Sequence, residues 1–261
     1  MHKRNLIVVL LAALATIACA TSPTGRPQLK LFPSSDLAEM GAASYQQMKQ
    51  ETPIEQSSRV NNYVQCVANA ITSQTGGTWE VTVFADDQAN AFALPGGKIG
   101  VYTGLLDVSR NQDQLATVIG HEVAHVLADH GNERVSSQFA TQSALQLAGA
   151  IAGGGNSGMG QAAMAALGLG AQVGVLLPFS RAQESEADVV GLELMARAGF
   201  DPRASVQLWQ NMAQSGGGSP PEFLSTHPGH ESRINKLNEN IPKAMPLYQQ
   251  ARNAGRRPNC G

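Results

Sequence analysis

Two periodicities of apolar and polar residues divide the chain into predicted strands and helices. Segments 79–84 and 98–103 alternate with period two, which predicts strands, and residues 90–97 between them form an extended piece that ends in a Pro-Gly-Gly turn. Apolar residues spaced three and four apart predict helices over 36–51, 55–74, 112–129, 181–197, 202–214 and 231–240, with an irregular tail after Pro242. This order indicates an α+β fold that is mostly helical, with a small sheet beside helix 112–129.

The stretch 135–180 contains no charged residue. Two Ala-rich runs, 137–151 and 159–177, flank a Gly-rich turn and predict a helical hairpin. The second run contains glutamines and several glycines, which favours packing on the domain over a membrane span. We expect the hairpin to form a mobile lid or a membrane-facing flap.

The N-terminus has the pattern of an export signal. A basic start is followed by the apolar run 6–15, by small residues and by Cys19, which predicts a signal peptide over 1–18. Residues 16–19 resemble a bacterial lipobox, which would make Cys19 the lipidated first residue of a tether over 19–35. Ala20 after this cysteine suggests the periplasmic face of the outer membrane. A plain signal peptide, cut near Ala18 or Ala20, would instead give a soluble periplasmic protein.

Charge and cysteine content narrow the possible functions. Lys plus Arg number 18 against 20 for Asp plus Glu, so the chain has no strong basic field and we expect no nucleic-acid partner. Three cysteines are too few for a disulfide-dense scaffold or a thiolate zinc cluster. With Cys19 lipidated, an oxidising envelope favours a bond between Cys66 and Cys260. The alternative is one buried thiol and one exposed thiol.

The segment HEVAH at 121–125 predicts a metal site. Two histidines four residues apart on a helix lie about 40° apart around the axis and about 6 Å along it, so both rings of His121 and His125 can reach one ion. Glu122 lies beside them and need not be a ligand. This is the arrangement of a zinc peptidase, in which Glu122 takes a proton from the attacking water and passes it to the leaving amine.

A third ligand must come from elsewhere in the chain. The pattern HExxHxxGxxH is excluded because position 128 is Ala and position 131 is Gly. On the later helix, Glu184 and Asp188 share one face, so Glu184 could bind zinc while Asp188 accepts a hydrogen bond from a ligand histidine.

Two neighbouring residues are predicted to lie outside the site. Glu186 points about 200° away from Glu184 around the helix, so we expect it to be solvated. We expect His130 to be a cation at the C-terminal end of helix 112–129.

Four motifs together resemble the zinc metallopeptidase family of HtpX, BepA and the CAAX prenyl protease. They are HEVAH, the later ESEAD preceded by SRAQ, NAFALPGG before the active helix, and THP at 226–228 with ESR at 231–233. The similarity covers roughly residues 35–240. It implies a zincin-like domain, which we place at 36–245, followed by a C-terminal tail over 246–261.

The resemblance also implies roles for individual residues. It implies His121, His125 and Glu184 as ligands of one Zn²⁺ per chain, Glu122 as the catalytic glutamate and Asp188 as the outer partner of a ligand. Residues Asn90, Ala91, Phe92 and Ala93 match a segment that pairs with the substrate backbone as an added strand. His227 matches a histidine that can approach the zinc and hold the enzyme inactive in the BepA branch. The alternative is that it is a helix-capping or loop histidine here.

The sequence therefore predicts a zinc-dependent endopeptidase of the bacterial envelope that acts on protein or peptide substrates. Misfolded envelope proteins are the expected substrates, because the resemblance points to protein quality control. One alternative is a chaperone or assembly factor for outer-membrane proteins with latent proteolysis. Another is a structural lipoprotein with a vestigial site. The sequence alone leaves the oligomeric state open.

Overall fold

The computed structural model describes residues 19–151, 179–215, 222–228 and 230–261. The strands are β1 (Cys19–Thr21), β2 (Pro27–Leu29), β3 (Glu80–Phe84), β4 (Ala91–Leu94) and β5 (Lys98–Tyr102). The helices are α1 (Ser34–Glu51), α2 (Ser58–Thr72), α3 (Thr103–Val108), α4 (Gln112–Leu127), α5 (His130–Ile151), α6 (Arg181–Ala198), α7 (Ala204–Ser215), α8 (Glu222–Thr226) and α9 (His230–Asn253). The predicted α+β, mostly helical fold is confirmed.

A three-stranded sheet has the order β3-β5-β4 and leaves β4 at an edge. Strands β3 and β5 run parallel, whereas β4 and β5 are antiparallel. Phe92 pairs with Gly100, and a Cβ at that glycine would lie 2.2 Å from the Phe92 ring. The glycine therefore leaves room for an aromatic cluster on this face, formed by Tyr45, Phe84, Phe92 and Tyr102.

Helix α4 is the centre of the fold. The Asn111 side chain accepts a hydrogen bond from Gln114 N and caps the helix, which is buried without a break from Gln114 to His125. Helix α6 crosses α4 where Gly191 of α6 meets Gly120 of α4. A Cβ at Gly191 would lie 2.8 Å from His121 N, so only residues without a side chain allow this close approach.

The N-terminal arm, residues 19–32, forms the β1–β2 hairpin and runs over the corner between α4 and α5. The Gln28 side chain donates to Ala128 O at 2.7 Å, and Leu31 N donates to Ser136 Oγ at 2.8 Å. The corner itself is sharp because Asp129 has φ of 52°. Since α5 begins at His130, the prediction that His130 ends the preceding helix is wrong.

The C-terminal tail is helical, so the predicted irregular tail after Pro242 is wrong. Helix α9 continues through Pro242 and Pro246 to Asn253. Its inner face is apolar every three or four residues and packs on the core, which offsets the cost of prolines inside a helix. The positions on this face are Ile234, Leu237, Ile241, Ala244 and Tyr248.

A disulfide joins Cys66 of α2 to Cys260, with 5.5 Å between the Cα atoms. The tail is also tied to the start of α4, because Gln112 donates to Pro258 O and accepts from Cys260 N, each at 2.9 Å.

Parts of the sequence predictions fall outside the described residues. These are the signal peptide over 1–18 and the second run of the predicted hairpin, 159–177, whereas the first run forms the later part of α5. In the part of the chain that the structure describes, no helix has both the length and the apolar character needed to cross a bilayer.

Candidate metal centre

The structure brings His121, His125, Glu184 and His227 together in one buried cluster. One ligand atom from each lies within 4.8 Å of all the others. His121 Nε2 and His125 Nε2 are 3.0 Å apart because the residues are one helical turn apart on α4. Two imidazoles, a carboxylate and a further imidazole suit a zinc-type ion in both number and chemistry, so the residues fit the metal.

Glu184 reaches the cluster from the first turn of α6. Ser180 and Gln183 form a capping box that fixes the start of this helix. Glu184 is 1% exposed, and its Oε1 lies 3.4 Å from His125 Nε2 while its Oε2 lies 3.4 Å from His121 Nε2. The carboxylate therefore faces both histidines of the HEVAH turn.

His227 occupies the remaining side of the cluster. Its Nδ1 lies 2.9 Å from Glu184 Oε1 and 3.2 Å from His121 Nε2. Its ring stacks between Phe179 and Phe223, with ring centroids 5.2 and 4.3 Å away. His227 follows the short helix α8, and its ring lies against the other three side chains of the cluster.

Asp188 and Arg233 lie on one side of the cluster. Asp188 Oδ1 lies 3.2 Å from His121 Nδ1, as the shared face with Glu184 predicts. Arg233 from α9 spans both carboxylates: its Nη1 lies 2.5 Å from Glu184 Oε2, and its Nη2 lies 2.5 Å from Asp188 Oδ1. Its guanidinium also stacks 3.8 Å from the centre of the Trp209 ring. Sequence reasoning assigned no role to Arg233, although it lies in the ESR motif.

Glu122 projects from α4 beside the cluster and is 2% exposed. Its Oε1 has no hydrogen-bond partner among the described residues, and it lies 3.3 Å from His227 Nε2. Burial raises the pKa of Glu122, although the nearby histidines partly oppose that shift. The backbone N–H of Ala93 also donates to this carboxylate and opposes the shift. A buried carboxylate of raised pKa with one free oxygen suits a group that accepts and returns a proton.

The pKa values of the candidate ligands follow from their surroundings. Burial lowers the pKa of His125 well below its ordinary value, so this ring is neutral. Burial and Arg233 would lower the pKa of His121, but Glu184 and Asp188 outweigh them and raise it to about 9. For Glu184, burial is outweighed by the charges of His227, Arg233 and His121, which hold its pKa well below the usual range.

The sequence predicts that His130 is a cation at a helix end and that Glu186 is solvated, and both predictions are wrong. His130 is 0% exposed and Glu186 is 4% exposed, because the N-terminal arm covers the face of α6 that the helix period alone would leave in solvent. Burial would raise the pKa of Glu186, but hydrogen bonds from Ser22, Thr24 and His130 lower it to about 2. Burial lowers the pKa of His130, so its ring is neutral.

The predicted substrate segment lies next to the cluster. Strand β4 contains Ala91, Phe92 and Ala93, and Asn90 comes directly before it. A groove of about 110 Å³ separates this strand from the end of α4 and the start of α5. Its lining includes Ala93, Leu94, Pro95, His125, Val126 and Asn132.

Comparison with known proteins decides the family. The model of peptidase family M48 matches residues 55–241, which include the whole cluster. The chain belongs to peptidase family M48. The chain is therefore a metallopeptidase, as the four motifs predict.

The relatives include mitochondrial and bacterial proteins. The mitochondrial metalloendopeptidase OMA1 of Schizosaccharomyces pombe is 40% identical over 185 residues, 67% of this chain and 50% of the relative. The Saccharomyces cerevisiae protein of the same name is 38% identical over 187 residues, 66% of this chain and 50% of the relative. The beta-barrel assembly-enhancing protease of Escherichia coli K12 is 27% identical over 267 positions, 95% of this chain and 54% of the relative. The M48 chain thus spans about half the length of these relatives.

Proposed function

We propose that this M48 chain is a zinc-dependent endopeptidase. The observation that carries the proposal is the convergence of four buried ligand atoms within 4.8 Å, with Glu122 beside them and an open strand edge at the groove. His121, His125 and Glu184 would hold one Zn²⁺. A zinc ion held by such a set supplies a Lewis acid and lowers the pKa of water.

The protein's own groups would perform the proton transfers. Glu122 would remove the proton from the attacking water and return it to the leaving amine. Asp188 would accept a hydrogen bond from His121 Nδ1, which leaves Nε2 of that ring facing the cluster. Arg233 would neutralise and orient Glu184 and Asp188, since its fork contacts both carboxylates.

The free edge of β4 supports an added-strand mode of substrate binding. Its other edge is paired with β5, so an extended peptide could continue the sheet beside the groove. Such binding uses backbone hydrogen bonds and would accept many sequences. This supports protein or peptide substrates with exposed extended segments, as misfolded proteins have.

Glu122→Gln tests the catalytic assignment. The variant should keep one zinc per chain, because Glu122 is not among the proposed ligands. Its cleavage of casein or of a misfolded protein should fall by about 10²–10⁴-fold. A variant that cleaves like the wild type would refute the role of Glu122, and a wild type without stoichiometric zinc would refute the metal centre and favour a vestigial site.

We infer an envelope lipoprotein from the N-terminal pattern, with Cys19 lipidated at the periplasmic face of the outer membrane. The E. coli relative is named for beta-barrel assembly, which supports the same setting, whereas the OMA1 relatives are named as mitochondrial. Labelling with palmitate in a bacterium that processes lipoproteins should mark the wild type and not Cys19→Ser. An unlabelled, soluble wild type would contradict the anchor.

The second candidate is an assembly factor for outer-membrane proteins whose proteolysis is latent. The name of the E. coli relative and the position of His227 against the ligands favour it. The two functions separate in a strain that needs the protein. An assembly factor still complements as Glu122→Gln, whereas an endopeptidase loses cleavage and complementation together.

A further inference from the structure

A second set of buried hydrogen bonds joins His125 of the candidate metal centre to His130 and Glu186. His125 Nδ1 lies 2.8 Å from His130 Nδ1, and His130 Nε2 lies 3.2 Å from Glu186 Oε2. His130 and Glu186 are 0% and 4% exposed. The proposed reaction uses neither residue, so this pair needs another explanation.

The N-terminal arm supplies the groups that hold Glu186. The backbone N–H and the hydroxyl of Thr24 donate to Oε1 at 3.1 and 2.7 Å, and Arg26 Nε donates to Oε2 at 3.2 Å. Arg26 is itself fixed by two hydrogen bonds to Glu133, at 2.5 and 2.6 Å. With donors on both oxygens, the Glu186 carboxylate is held in one orientation.

If His125 binds the metal through Nε2, the direction of each hydrogen bond in this set is determined. His125 Nδ1–H then donates to the unprotonated Nδ1 of His130, and His130 Nε2–H donates to the Glu186 carboxylate. A carboxylate that acts on a ligand histidine fixes the tautomer and the orientation of its ring and raises its basicity. Here a further imidazole lies between the carboxylate and the ligand.

We propose that Thr24 and Arg26 are positioning residues of the metal centre, which orient His125 through Glu186 and His130. The inference rests on the proposed function, because it takes His125 as a metal ligand. An arm that starts at the predicted lipid attachment site, Cys19, would thus be part of the metal centre. Undocking the arm is therefore expected to weaken the hold on the metal.

The test is zinc affinity, measured by competition with a chromophoric chelator at fixed pH. Thr24→Val and Arg26→Met, combined in one chain, should weaken zinc binding by about 10–100-fold. Lys30→Met is the matched control, because Lys30 lies on the same arm but pairs with Asp129, and its zinc affinity should equal that of the wild type. An arm that only stabilises the fold would lower the melting temperature of the metal-free protein and leave zinc affinity unchanged, which would overturn the proposal.

His130→Asn provides a second measurement. The Asn amide oxygen keeps an acceptor near His125 Nδ1–H but removes the group that reaches Glu186. This variant should weaken zinc binding as the arm variant does, and both should alter the visible absorption bands of the Co²⁺-loaded protein. Wild-type affinity and spectrum in His130→Asn would overturn the proposal. A wild type that binds no stoichiometric zinc would instead overturn the proposed function, so the two failures are distinguishable.

Discussion

The guanidinium of Arg233 lies 2.5 Å from the carboxylate of Glu184, the metal ligand proposed on α6. This contact helps to hold the Glu184 carboxylate in place and ionised, because both groups are almost fully buried. Arg233→Lys keeps the positive charge but loses the fork that also reaches Asp188.

We expect Arg233→Lys to weaken zinc binding by about 10–100-fold. Arg203→Lys is the matched control, since Arg203 is exposed and pairs with Asp201 away from the cluster. Chelator competition measures both variants. Equal zinc affinity in Arg233→Lys and the wild type would show that charge alone, without the fork, satisfies Glu184.

His227 gives a prediction about control of the enzyme. Its imidazole lies between Glu122 and Glu184, with 3.3 Å to the first and 2.9 Å to the second. In the proposed mechanism the attacking water would lie between these groups, so we expect His227 to obstruct it. His227→Ala should therefore cleave casein several times faster than the wild type. The control is the double variant with Glu122→Gln, which should be inactive. Slower cleavage in His227→Ala would instead make His227 part of the catalytic machinery.

The sequence predicts the part of the site that local periodicity determines. Two histidines on one helical turn, and Glu184 with Asp188 on one face of a later helix, need only the helix period to be placed. Glu186 shows where this reasoning fails. The period correctly turns it away from Glu184, but the arm packs on that side and buries it. No local pattern reports a contact between residues so far apart in the chain.

The role of Arg233 and the helix at the end of the chain could not be predicted from the sequence for the same reason. Prolines at 242 and 246 predict a break, yet the apolar face of α9 has enough core contact to keep the helix intact. The contact of Arg233 with Asp188 depends on how α9 crosses α6, which is a tertiary property. The resemblance to known proteases marked this motif without explaining its role.

The low pKa of Glu186 predicts a loss of stability in acid. Because its pKa falls from an ordinary value near 4.3 to about 2 in the folded protein, its charge stabilises the fold above pH ~4.3, and this contribution is lost as the pH falls through about 2. In metal-free protein, the stability difference between wild type and Glu186→Gln should be constant at neutral pH and shrink in acid.

Urea unfolding at a series of pH values measures this difference. Glu193→Gln, an exposed residue of the same helix paired with Arg197, should change stability little at any of them. A wild-type advantage that grew on acidification would contradict the assignment of Glu186 as an ionised, hydrogen-bonded group.

The bond between Cys66 and Cys260 gives a prediction about stability alone. It joins positions 194 residues apart and closes almost the whole domain into one loop. Cys66→Ser with Cys260→Ser should lower the free energy of unfolding by about 2–5 kcal/mol. Zinc affinity should not change, because neither cysteine belongs to the metal cluster. The reduced wild type should behave like the double variant, and weaker zinc binding in either would contradict the separation of the two sites.

The contact of Gly191 with Gly120 predicts that one methyl group can disturb the metal centre. A Cβ at Gly191 would lie 2.8 Å from His121 N and 2.9 Å from Gly120 C, and backbone atoms cannot move aside as a flexible side chain can. Gly191→Ala must therefore push α6 away from α4. Since Glu184 is on α6 and both histidines of the HEVAH turn are on α4, the variant should lose about 1–3 kcal/mol of stability and bind zinc more weakly.

Gly131→Ala is the control, because its Cβ would meet Pro95 Cγ at an ordinary 3.6 Å. Calorimetry and chelator competition on both variants test this, and a Gly191→Ala protein with wild-type stability and zinc affinity would show that the helix spacing is not limited by this contact.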